Sequence, residues 1–220
     1  MATSNFKDSV LGIPFYRFYY DKSKVDSIYQ SVRQLKYRNN DTNWLWDGVR
    51  EDGIGGSDLY KLPEFTELFT WMQGCMDRVA QDLKMNPTCR LSCCSAWCNL
   101  NKPGEFLYDH VHPNTFIASN FYTSGHSKDA TVYVHHNPYF HSTNVRPCGD
   151  GDKFWLEDTY YLVHKEPTEP GKFVVFPPLI RHYSEPNSSK EDRITIAANW
   201  FPTGLMNAGN VSHLNVEVFK

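Results

Sequence analysis

No apolar run in the 220-residue sequence approaches the roughly 20 residues needed to cross a bilayer, so no membrane-spanning helix is expected. The first residues, Met1-Ala2-Thr3-Ser4-Asn5, lack the basic-then-apolar layout of a signal peptide, and the expectation is a soluble, intracellular, cytoplasmic protein. Neither sign of charge dominates. With 22 Lys and Arg against 25 Asp and Glu, the net charge of -3 supplies no bulk field to draw the chain to nucleic acid or to an anionic membrane. A nucleic-acid partner is therefore not expected, and a steep salt dependence of binding to single strands would be its mark. There is also no internal repeat, low-complexity tract or long Pro/Ser linker. The chain reads as one domain over residues 1–220, large enough to bury a core without disulfides.

Disulfides and a zinc-thiolate centre are poorly supported, although six cysteines are present. Four crowd together as Cys89, Cys93, Cys94 and Cys98, without any CxxC pair. Strict alternation in a strand puts Cys94 and Cys98 on one face and Cys89 and Cys93 on the other, which spoils a four-thiolate site. They read as buried, reduced thiols that pack as small hydrophobes.

What is present is a change of periodicity. Residues 1–88 read as a short aromatic strand, Ile13 to Tyr20, followed by two helices that support a sheet. Val25, Ile28, Tyr29, Val32 and Leu35 recur at spacings of three and four, which lines one helical face. Phe65, Leu68, Phe69, Met72, Met76, Val79, Ala80 and Leu83 do the same, with Pro63 in the first turn. Between them, Asn39 to Asp58 is polar and Gly-rich and is expected to be a loop over a site mouth. From residue 89 to 220 the pattern becomes short β segments broken by turn residues. These are Arg90 to Asn99, Phe106 to His112, Thr115 to Thr123, Ala130 to His136, Thr159 to His164, Gly171 to Pro177, Arg193 to Phe201 and Leu214 to Phe219. The fold class expected is mainly β, a jelly-roll or cupin-like barrel (a double-stranded β-helix) flanked by N-terminal α-helices.

Nine histidines occur, and three stand apart. In Asp109-His110-Val111-His112-Pro113, an extended chain points His110 and His112 to one face and Asp109 to the other, so two imidazoles at i and i+2 reach one ion. Taken alone, such a pair is more often a turn or surface feature than a metal site. His182 follows an apolar strand, Gly171 to Phe176, and a double-proline turn, and Arg193 opens the next apolar strand. His135 and His136 end a strand and are expected to be turn histidines. His126, His141, His164 and His213 carry no ligand signal.

Five segments then match, in order, a known family: Trp97-Cys98-Asn99 with Pro103-Gly104, the His110-Val111-His112-Pro113-Asn114 run, Ser119-Asn120-Phe121-Tyr122, Pro170-Gly171 through His182, and Asp192-Arg193-Ile194-Thr195-Ile196. The chain resembles the 2-oxoglutarate- and iron(II)-dependent dioxygenases, in their prolyl-4-hydroxylase-like branch, over Ser92 to Phe201. The resemblance implies iron(II) held by His110, His112 and His182. It also implies 2-oxoglutarate held by Arg193 at its distal carboxylate, with Tyr122 beside it and Asn199 near the metal-bound end. Dioxygen would complete the set, with succinate and CO2 released as an unidentified substrate is hydroxylated. A peptidyl side chain such as proline is the analogy from that branch, and a small molecule is the alternative. Two positions depart from the family pattern. The wider family has a carboxylate where His112 stands, and close relatives have glycine at Asn120, where a reshaped turn is the expectation. Two other readings remain: a cupin-like three-histidine metalloprotein, acting as a 2-oxoglutarate-independent dioxygenase or isomerase, and a non-catalytic jelly roll for binding or structure.

Overall fold

Two long strands, β5 (Cys89–Asn101) and β11 (Arg193–Met206), pair antiparallel through the middle of the computed structural model. The structure describes residues 6–10, 13–40, 43–46, 57–125, 128–136, 161–206 and 214–217. The other strands are β1 (Phe6–Val10), β2 (Ile13–Tyr19), β3 (Tyr37–Asn40), β4 (Asn43–Trp46), β6 (Ile117–Tyr122), β7 (Ala130–His136), β8 (Tyr161–Pro167), β9 (Lys172–Phe176), β10 (Arg181–Ser184) and β12 (Leu214–Val216). The helices are α1 (Lys22–Arg33) and α2 (Thr66–Asp82). The large sheet runs β1-β2-β9-β6-β11-β5-β4-β3, with β12 also on β11, and the small sheet runs β10-β7-β8. Every strand pairing is antiparallel. Two facing antiparallel sheets with helices outside the larger one make the expected jelly roll.

Alternation within each strand divides the large sheet into two chemically different faces. Ile194, Ile196, Ala198 and Trp200 of β11 join Phe121, Phe173 and Val175 in the core under the helices. Val25, Ile28 and Val32 of α1 and Leu68, Met72, Met76 and Val79 of α2 are buried against them. Each such side chain contributes on the order of 1.5–3 kcal/mol by leaving water. Asp21 starts α1 by accepting a hydrogen bond from the Ser23 amide at 2.9 Å. Pro63 begins a 3-10 turn, closed by Phe65 N–H donating to Leu62 O, so α2 proper begins at Thr66, one turn after the proline. Leu83, the last residue of that stripe, lies past the helix end and is exposed.

Four further expectations change. Asn39 belongs to β3, and β3 with β4 extends the sheet beyond β5, so the segment from Asn39 to Asp58 is not simply a loop; residues 41–42 and 47–56 of it lie outside the described residues. Phe106 to His112 is extended but forms only one bridge, His110 to His182, because it meets the short β10 between the Pro103-Gly104 turn and Pro113. Asn120 sits in the middle of β6, buried and paired to Ala197 and Val174, and reshapes no turn. The cysteines do not alternate strictly, because the β5–β11 register slips between Asn199 and Trp200 and leaves Cys94 as an extra residue. Cys93 and Cys98 consequently face the same helix-side core. Cys75, Cys89, Cys93, Cys94 and Cys98 are free thiols. The segment from Asn137 to residue 160 and the histidines His126, His141 and His213 lie outside the described residues.

Candidate metal centre

The inward face of the large sheet looks onto the small sheet, and three histidines meet between them. His110 and His182 lie opposite each other, each amide donating to the other's carbonyl at 3.0 Å. Two residues on, the His112 amide donates to Pro178 O at 2.9 Å, which holds the segment against the double-proline turn before β10. Asn114 then takes a left-handed conformation, φ +56°, which asparagine tolerates better than most residues, and turns the chain toward β6. His110 and His112 thus share a face, while Asp109 points away and pairs with Arg181. Nε2 of His112 is 3.3 Å from Nε2 of His182, and a nitrogen from each of the three rings lies within 4.8 Å of the others.

The hydrogen bonds on the far side of each ring decide which nitrogen is free. His110 Nδ1 faces Tyr108 O at 2.8 Å and His182 Nδ1 faces Ile180 O at 2.9 Å. Carbonyl oxygens only accept, so each Nδ1 carries the proton and each Nε2 keeps its lone pair. His112 Nδ1 faces Asn199 Oδ1 at 2.6 Å in the same manner. Burial pushes His112 down to about 4 and His182 well below the ordinary histidine value, with the neighbouring imidazoles adding to both effects. Both rings are therefore neutral at neutral pH, as metal ligands must be. Trp97 stacks on His112 and Tyr133 on His182, which limits rotation of both rings. Three converging lone pairs, each backed by an oxygen acceptor, fit a divalent transition metal.

A narrow cleft of about 390 Å3, counted to its open mouth, leads away from the histidines between Asn99, Asn101, Asn120, Thr131, Ser184 and Thr195. Arg193 lies behind this lining, against Asn101 and Ser184, and is only 2 % exposed. Its guanidinium donates to Glu185 O at 2.7 Å and Ser184 Oγ at 3.0 Å, and it pairs with the buried Asp129 at 3.3 Å. Tyr122 is fully buried and donates to Thr131 Oγ1 at 2.8 Å. Burial holds its phenol in the protonated, donating form. Of the six residues singled out by the sequence, His110, His112 and His182 line the cleft with Asn199 bonded behind His112, whereas Arg193 and Tyr122 are buried behind its lining, against Asn101, Ser184 and Thr131.

Sequence reasoning missed the polar lining itself. Asn99 and Asn101 alternate with the core residue Leu100, and that period of two within an apolar strand is the signal that places both on the inward face. His164, read as incidental, contacts the buried Glu166, which also binds Arg17 and Lys172. No local pattern shows that cluster, because its members come from β2, β8 and β9. His135 ends β7 half-buried, and its Nδ1 has no partner.

Residues 95–199 match the family model described as "Putative 2OG-Fe(II) oxygenase". Among curated proteins no sequence matches the chain. Solved structures do. An oxidoreductase of the 2OG-Fe(II) oxygenase family from Burkholderia pseudomallei superposes with a TM-score of 0.58 at 12% identity, covering 87% of this chain and 86% of that one. HygX from Streptomyces hygroscopicus, solved with nickel, 2-oxoglutarate and hygromycin B, gives 0.53 at 13% identity over 84% and 82%. A Pseudomonas putida prolyl-4-hydroxylase gives 0.53 at 12% identity over 88% and 95%. At such identities the superpositions establish the jelly-roll fold, and the family model accounts for the order of the motifs along it. A sheet pair with this topology carries those motifs where its strands converge, and over residues 95–199 the chain is similar to the 2-oxoglutarate- and iron(II)-dependent oxygenases.

Proposed function

We propose that His110, His112 and His182 hold iron(II), that 2-oxoglutarate lies in the cleft between them and Arg193, and that the protein hydroxylates a C–H bond of a substrate admitted at the open end. The observation that carries this reading is the set of three imidazoles whose Nε2 lone pairs converge while each Nδ1 proton is taken by an oxygen. When bound, the metal supplies the oxidative chemistry, decarboxylating the keto acid to succinate and CO2 and inserting one oxygen atom into the substrate.

The chain's own residues bind, orient and exclude water. Arg193 offers a fixed cation to the distal carboxylate of the keto acid, and Tyr122 a buried phenolic donor beside it. Asn199 keeps His112 in the tautomer that binds metal. Trp97, Phe176 and Tyr133 wall the two buried imidazoles with rings and keep bulk water from them. Three neutral ligands leave the metal's full double charge to meet the dianionic keto acid, which favours its binding over that at a site with a carboxylate ligand. For the substrate, a peptidyl side chain such as proline is the reading in keeping with the prolyl-4-hydroxylase likeness, and a small molecule is the reading in keeping with HygX. No described helix is long and apolar enough to cross a membrane.

Anaerobic titration with iron(II), then with 2-oxoglutarate, tests this. A weak visible metal-to-keto-acid charge-transfer band is expected, followed by succinate on admission of air, and His182→Ala is expected to lose both. Metal binding with neither band nor succinate would leave a cupin-like metalloprotein, and no metal binding at all a structural jelly roll.

A further inference from the structure

The segment that carries His110 and His112 has one edge against β10 and the other open. His110 exchanges both of its backbone hydrogen bonds with His182, and the His112 amide donates to Pro178 O at 2.9 Å. Backbone groups of successive residues in an extended chain point to opposite edges, so the N–H and C=O of Asp109 and Val111 point away from β10. None of these four groups has a hydrogen-bond partner among the described residues, and both residues are exposed. Upstream the pairing slips, because Leu107 meets Ser184 while His110 meets His182, and this bulge ends the regular edge at Asp109. The Asp109 carboxylate is paired with Arg181, which takes up the charge on the edge. Of the nine exposed large apolar side chains among the described residues, Tyr108, Val111, Phe116 and Leu179 belong to this stretch or to the double-proline turn it meets. Proteins ordinarily cover or blunt an open edge, yet this one stays open, ringed by apolar side chains, on the segment that carries two of the three histidines.

We infer that an extended polypeptide substrate adds to this edge as an antiparallel strand over Asp109 to Val111, and that its residue opposite His110 is the one presented to the histidines. The partner's chemistry follows from the edge itself. An N–H and a C=O repeated at every second residue match another peptide backbone, whereas a small molecule does not repeat them. The direction is that of every strand pairing described in this protein. Directly opposed side chains in an antiparallel pair stand on the same face, with Cβ atoms about 4.5–5.5 Å apart. The side chain opposite His110 therefore shares the face on which His110 and His112 meet His182. That residue turns its own N–H and C=O away from the protein, so proline is admitted there. Proline is excluded from the two flanking positions, whose N–H groups must donate to Asp109 O and Val111 O. This inference rests on the proposed oxygenase function for what happens to that side chain, and it selects a peptide over a small molecule as the substrate.

The test uses the full-length protein loaded with 2-oxoglutarate and with zinc(II), which is diamagnetic and suits three imidazoles. It is panned against displayed random dodecapeptides, and the recovered sequences are synthesised as free peptides. At saturation, amide exchange followed by NMR is expected to slow about 10-fold or more at Asp109 and Val111. His110 and His112, whose amides are already bonded, should change by less than about 2-fold. N-methylation scanned along the peptide is expected to weaken binding about 10-fold or more at two positions two residues apart, and less than about 2-fold at the residue between them. Proline should be missing from those two positions in the recovered sequences. Recovery of no peptide that protects Asp109 and Val111 overturns the inference, and so does a protecting peptide whose methylation scan is flat. Neither readout needs turnover, so the iron(II) and 2-oxoglutarate titration judges the proposed function separately. Edge binding without a charge-transfer band keeps the docking edge and removes the oxygenase reading, and a band without any edge-bound peptide does the reverse.

Discussion

Asn199 Oδ1 lies 2.6 Å from His112 Nδ1, and this one contact decides which nitrogen of His112 faces His110 and His182. Asn199 reaches it from β11, at the register slip opposite Cys94. Removing the acceptor frees the ring to take the other tautomer or to rotate. Asn199→Ala is therefore expected to weaken metal binding about 10–100-fold. Asn199→Asp, which keeps an acceptor and adds negative charge behind the imidazole, is expected to bind metal at least as tightly as the parent. Competition against a chromogenic chelator measures both, and equal losses in the two variants would remove the tautomer argument.

The stability of the metal-free protein should depend on pH through His112. Its folded pKa of about 4 lies below the ordinary value of 6.5, so between these values the unfolded chain binds more protons than the folded one. Stability is then complete above about pH 6.5 and falls by up to about 3 kcal/mol as the pH drops toward 4. His182, also depressed, acts in the same direction. Urea midpoints of metal-free protein between pH 4 and 7.5 check the slope, and His112→Gln should flatten part of it. A parent whose stability stays constant through this window would contradict the neutral, buried imidazoles.

Glu166 is a second source of stability, remote from the metal ligands. Its side chain is 3% exposed and takes Arg17 at 2.7 Å and Lys172 at 2.9 Å. Burial alone would raise its pKa, but hydrogen bonds from His164, Arg17 and Lys172 outweigh that and bring it down to about 2. Glu166→Gln removes the buried anion that Arg17 and Lys172 share, with Lys172 still 3.1 Å from the half-exposed Glu169, and is expected to cost about 3–5 kcal/mol. Denaturant unfolding checks this, and adding Arg17→Met should restore part of the loss. A cost within about 0.5 kcal/mol of zero would mean the cluster is solvated.

The thiols should differ sharply in reactivity. Burial pushes Cys75 up to about 12 and Cys98 higher still, and both are at most 2% exposed. Native protein treated with iodoacetamide at about pH 8 should therefore carry label on the half-exposed Cys89 before either of them, since the thiolate is the reactive form. Peptide mass spectrometry reads the order. Early labelling of Cys98 would contradict its place in the helix-side core.

Much of this architecture is legible in the chain because it is written in local periodicity. The three-and-four spacing of Leu68, Met72, Met76 and Val79 reports a buried helical face wherever that helix packs. Period two in Asp109-His110-Val111-His112 puts both histidines on one side before any partner strand is known, and Pro113-Asn114 closes the segment with a turn. Tertiary structure alone decided the rest, because those properties depend on groups brought from distant strands. Nothing near His112 announces that Asn199 will select its tautomer, or that Arg193 will meet Asp129 and Asn101. The pairing of β5 with β11 creates both relationships, and the slip at Cys94 changes which cysteines share a face. Ligand identity is a property of side-chain direction and so survives in sequence. Proton position, burial and charge balance depend on what surrounds each side chain, and only the packed sheets set them.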